Sequence, residues 1–200
     1  MPLISLVAAA AAATAPLPST QDRALFAAFR QVCGQVRDYA HMAATARGAG
    51  WSAVPEDAHP RLATLIARGR DAAMKDAPEA TFASAQYTRT VAGRVLWLVQ
   101  SRYVDQGRTA APGLWANGCR VYDFDAAAPI ASRQLARLIG KRHTGTLPLP
   151  DGGTQYLWEP GFHSGHSVEV SFLRGDDAVS ASFALRGLVL TTQAIGGHVS

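Results

Sequence analysis

The segment Trp158-Glu159-Pro160-Gly161-Phe162-His163-Ser164-Gly165-His166 holds the side chains best suited to chemistry. A His-x-x-His pair on a loop can present two imidazole nitrogens to Zn²⁺, and Glu159 could add a carboxylate oxygen. His163, His166 and Glu159 are therefore the candidate metal ligands. Their spacing is not specific and no fourth ligand is recognisable, so no metal, cofactor or catalytic residue is assigned. The plainer expectation is a connection between two strands, shaped by its proline and glycines.

Other constellations point less far. Gly161 to Gly165 has His163 where a nucleophile elbow needs serine, and neither S-x-x-K nor H-E-x-x-H occurs. Asp123 and Asp125 could form an acid/base or Ca²⁺ pair, but two carboxylates at a strand end more commonly make a solvated turn. Arg174-Gly175-Asp176 reads as hairpin-turn chemistry. Gly48-Ala49-Gly50 follows a helix, which is the wrong polarity for phosphate capture. Trp51, Trp97, Trp115 and Trp158 could line a pocket, although single tryptophans in a core are the ordinary case.

These residues need elements to position them. Ser19 or Thr20 can cap a helix carrying Leu25, Phe26, Phe29, Val32 and Cys33 at helical spacing. After Gly34 a second helix places Val36, Tyr39, Ala40, Ala43 and Ala44 on one face and ends at Gly48 or Gly50. A short third helix spans Leu62 to Ile66 and stops near Gly69. The period then changes. Strands are expected over Phe82–Thr90, Arg94–Asp105 and Leu114–Phe124, with a turn at Ala92-Gly93. Ala131, Leu135, Leu138 and Ile139 mark an amphipathic helix with Pro129 in its first turn and Gly140 at its end. Thr144 to Gly153 reads as a loop. Strands follow at Thr154–Glu159, Ser167–Arg174 and Val179–Thr191, and the Gly-rich tail from Gln193 is expected to fray. The fold class is α+β: N-terminal helices packed on an antiparallel sheet, in the order helices–βββ–α–βββ.

Ile4 to Thr14 is an apolar, uncharged run, too short for the roughly 20 residues that span a bilayer. It has the length of a signal-peptide core and is followed by small residues, so residues 1–15 read as a signal peptide cut within residues 13–18. Residues 16–200 then form a single domain. No later segment reads as transmembrane. Cys33 and Cys119 are the only cysteines. An even count in an exported chain argues for a disulfide, tying the first helix to the middle of the sheet.

The formal charge is +4, from seventeen arginines and two lysines against fifteen acidic residues. The arginines are scattered singly, which argues against a nucleic-acid surface. The densest basic group is Arg133, Arg137, Lys141 and Arg142.

Phe29 and Cys33, followed by an Ala-rich helix closing on Gly50-Trp51, resemble a pattern in exported bacterial proteins of a family without assigned activity. The resemblance spans the N-terminal helices alone and implies export and no catalytic residue. The expected role is a periplasmic or secreted soluble envelope protein, a non-enzymatic binding or interaction domain for an envelope protein or small ligand. The alternative is a small hydrolase or metal-dependent enzyme with its site near His163 and His166.

Overall fold

The computed structural model describes residues 17–75, 77, 79–106, 113–150, 153–175 and 185–197. The expected signal peptide and residues 179–184 of the last expected strand lie outside them.

Helix α1 (Thr20–Cys33) starts where the sequence reading placed it. The Ser19 hydroxyl accepts the Asp22 N–H at 3.0 Å, and the Asp22 carboxylate sits in the electropositive first turn. Leu25, Phe26, Phe29, Val32 and Cys33 form its buried stripe. Gly34 closes it by donating to the Arg30 carbonyl at 2.9 Å. A Cβ at Gly34 would stand 2.6 Å from that oxygen, which explains the glycine. Helix α2 (Tyr39–Gly48) is capped by Asp38, whose carboxylate accepts the His41 N–H at 2.9 Å. Its buried residues are Met42 and Ala46; Ala40 and Ala44, expected inside, are exposed. In an alanine-rich helix, periodicity says little about which stripe faces inward.

Strand β1 (Ser52–Val54) and helix α3 (Pro60–Lys75) follow. The helix is longer than the expected Leu62–Ile66 and runs through Gly69, which faces open space and so costs only its helix propensity. Next come β2 (Thr81–Val91), β3 (Arg94–Val104) and β4 (Trp115–Asp123). Ala92 and Gly93, both at positive φ (50° and 83°), make the two-residue turn between β2 and β3. Helix α4 (Ser132–Ile139) ends on Gly140 at φ 90°. Pro129 precedes the helix instead of occupying its first turn, because the cap is Ala131. Strands β5 (Gly145–Pro148), β6 (Thr154–Trp158), β7 (Ser167–Leu173) and β8 (Gly187–Gly196) complete the order.

The architecture is α+β, with four helices and one eight-stranded sheet among the described residues. The expected βββ–α–βββ pattern omitted both edge strands, β1 and β5. The sheet order is β1-β2-β3-β4-β8-β7-β6-β5, every neighbouring pair antiparallel. Residues 193–196 of the tail expected to fray are held in the sheet. Gln193 to Gly196 pair with Gly118 to Trp115, and Ala194 is buried.

Alternation assigns each strand residue to one of two faces. On one, Leu96, Leu98, Cys119, Val121, Val168, Val170, Leu188 and Leu190 meet α1, α2 and α4 in the main core. On the other, Val99, Tyr122 and Val189 meet Leu62 and Ile66 of α3 in a smaller cluster. Cys33 and Cys119 are disulfide-bonded, their Cα atoms 5.4 Å apart. Three buried polar side chains fasten the same joint. Thr192 Oγ1 donates to the Cys33 carbonyl at 3.1 Å, Asn117 Nδ2 to the Val36 and Arg37 carbonyls at 3.0 and 3.1 Å, and Gln100 Nε2 to the Met42 carbonyl at 3.0 Å. These donors reach the Cys33 carbonyl left open where α1 ends, two carbonyls of the connection, and one carbonyl within α2. No described helix is long and apolar enough to cross a membrane.

Candidate functional site

The His163–His166 segment joins β6 to β7. Lys141, just past α4, donates from Nζ to the Pro160 carbonyl at 2.5 Å and the Gly161 carbonyl at 2.6 Å. His166 is buried, and its Nε2 accepts the Phe162 N–H at 2.9 Å. A Cβ on Gly161 would stand 2.6 Å from the His166 ring, so glycine lets the loop close over it. Burial above all, with His163, Lys141 and Arg37 adding positive charge nearby, lowers the pKa of His166 below the usual imidazole value. A neutral ring whose Nε2 lone pair holds a backbone amide organises the loop. The His163 and His166 rings are 5.9 Å apart, centroid to centroid. Glu159 is exposed, and its backbone N–H goes to Thr144 Oγ1. Among the described residues no group of three or more His, Cys, Asp or Glu is placed to hold a metal ion.

The other sequence candidates separate as well. Asp123 is buried, while Asp125 is exposed. The expected solvated pair is not formed, because Asp123 accepts from Arg94 at 3.4 Å and Arg94 also pairs with Asp22 at 3.0 Å. Burial pushes the Asp123 carboxyl up, and the Arg94 charge opposes it. The four tryptophans share no pocket. Trp51, Trp115 and Trp158 belong to the main core, whereas Trp97 lies on the opposite face beside His59.

That opposite face carries a concavity the sequence reading missed. Helix α3 covers only part of it, leaving an open cleft of about 440 Å³. Its apolar wall includes Leu65, Phe82, Val99, Tyr122, Leu173 and Val189, and its polar groups include Ser84, Ser101, Arg120, Gln155 and Glu169. Arg120 sits on β4 opposite Thr191 of β8, which in turn faces Glu169 of β7. Two strand spacings, roughly 10 Å, thus separate the Cα atoms of Arg120 and Glu169. Glu169 is held by neutral donors: Gln155 Nε2 at 2.5 Å and Gln193 Nε2 at 3.1 Å. The Arg120 guanidinium makes no hydrogen bond or ion pair with the described residues. It lies over Gly118, where a Cβ would stand 2.7 Å from its Nη1 and 2.8 Å from Ser101 Oγ. Burial pushes the Tyr122 hydroxyl up, with the Arg120 charge pulling the other way.

No protein-family model, curated protein or solved structure matches the chain. A signal for the cleft did exist in the sequence. Gly118, Arg120 and Tyr122 alternate with Cys119 and Val121, so a strand with cysteine inward must present that arginine on its other face.

Proposed function

We propose that the protein is an exported envelope protein that works by binding a small ligand, with the cleft between α3 and the sheet as its site. The observation that carries the binding reading is the cleft itself: apolar walls, a few convergent polar groups, and a volume of about 440 Å³, within the ordinary range for ligand pockets. Export is supported by the apolar N-terminal run and by the Cys33–Cys119 bond, since disulfides persist in oxidising compartments.

Two measurements test this reading. Intact mass of protein recovered from a bacterial periplasm should lack a leader ending within residues 13–18, with both thiols alkylated only after reduction. An uncleaved chain with two free thiols would sink the export half. For the binding half, titration with the apolar anionic dye anilinonaphthalene sulfonate should show one saturable site, lost in Ser84→Trp, which fills the cleft. A single metal ion per chain, lost on His166→Ala, would instead favour a metal-dependent enzyme at the β6–β7 loop.

A further inference from the structure

Resting on that reading of the cleft, we propose that its ligand is an amphiphile with one anionic head group, a carboxylate in the simplest case, seated on Arg120 and Ser101 with its hydrocarbon body along the apolar wall.

The first ground is the contrast with two other guanidinium groups of the chain, those of Arg94 and Arg70. Arg94 is given two carboxylates, Asp22 and Asp123, and Arg70 takes both oxygens of Glu56 at 2.8 Å. Arg120 is half-buried on the same sheet and has no such partner among the described residues. A guanidinium fork matches a carboxylate with two parallel N–H···O bonds, so the unfilled half of this pair is an anion.

The second ground is the floor beneath it. Gly118 leaves the space in which Arg120 Nη1 and Ser101 Oγ converge. A glycine within a central strand loses side-chain packing and adds unfolded-state entropy, and close approach by another group is its usual reason. Here the approaching group is the guanidinium. It lies over Gly118 of its own strand, where Ser101 of β3 also reaches.

The third ground is what surrounds this charge. Glu169 is satisfied by two glutamine amides and leaves Arg120 to the ligand. Its negative charge in the same cleft opposes a second anionic group, which favours a single-headed ligand. Phe82, Val99, Tyr122, Leu173 and Val189 supply a hydrocarbon surface with no charge of its own.

Octanoate, octanol and octylammonium are the probes, each competed against anilinonaphthalene sulfonate on the disulfide-bonded chain. Octanoate should bind at least tenfold more tightly than octanol. Arg120→Gln should remove that advantage while leaving octanol within about twofold, a tenfold loss corresponding to about 1.4 kcal/mol. Gly118→Ala should weaken octanoate in the same way by displacing the guanidinium, and near-ultraviolet circular dichroism checks that each variant stays folded. Octanol binding as tightly as octanoate, or octylammonium binding best, would overturn the ligand class and leave the cleft standing as a binding site. If neither the dye nor any probe binds the folded protein, the cleft reading falls first and this inference with it.

Discussion

The two faces of the sheet are built from the same strands by the same alternation, yet they end in different states. On the α1 side, Leu96, Leu98, Val121 and Leu190 are at most 1% exposed, and the helices above them are tied down by the Cys33–Cys119 bond and three buried side-chain hydrogen bonds. On the α3 side, one helix covers part of the surface, and Arg120 and Glu169 face an open cleft. The difference lies in how much apolar surface each face can bury. The α1 face is mostly apolar, its buried Gln100, Asn117 and Thr192 are hydrogen-bonded to the helix layer, and it closes. The other mixes Val99, Tyr122 and Val189 with Ser84, Ser101, Arg120 and Glu169, and a second helix layer over these would strip polar groups of water.

The sharpest test of this contrast is the staple. Replacing Cys33 and Cys119 with alanine should cost up to about 4–5 kcal/mol of unfolding free energy in urea, because the bond closes a loop of 86 residues in the unfolded chain. A loss under about 1 kcal/mol would mean that the helix layer holds without it.

Next in size is a matched pair on β3. Leu98→Ala on the closed face should cost about 2–5 kcal/mol, while Ser101→Ala on the open face should stay within about 0.5 kcal/mol. Equal costs in denaturant melts would show that both faces are equally packed. Asn117→Ala comes third, at about 1–3 kcal/mol, since it leaves the buried Val36 carbonyl, and the Arg37 carbonyl beside it, without their shared donor.

The smallest effect is pH-dependent. His166 and His59 both have pKa values lowered in the folded state, burial being the largest cause in each case. The folded protein therefore binds fewer protons than the unfolded one. The stability that neutral histidine provides is present above the unfolded value of about 6.5 and is lost as pH falls through the lowered folded values. The melting temperature should drop between about pH 7 and pH 5, and His166→Asn should flatten part of that slope. An unchanged slope in that variant would assign the acid sensitivity elsewhere.

Local chemistry accounts for the parts that sequence reading recovered. Ser19 with Asp22, Gly140, and the Ala92-Gly93 turn each act through neighbours within four residues, and the alternation of Val168, Val170 and Phe172 marks β7 directly. The edge strands escaped because three or four residues carry no readable period. Beyond Gln193, composition suggested a loose tail, but pairing with β4 overrode it. His163 and His166 drew attention as a compact motif, whereas the cleft draws its polar groups from strands far apart in the chain.

By itself, the sequence determined the α+β class, the cap of α1, the Ala92-Gly93 turn, the glycine that ends α4, the cysteine pair and the alternation of β4 and β7, because those follow from propensity, period and count. Only the tertiary structure decided that β8 inserts between β4 and β7, that α3 takes the face opposite α1, and that Arg120 is left facing a cleft. Strand order and the choice of face depend on contacts between residues tens of positions apart, and no local pattern encodes which apolar surfaces will meet.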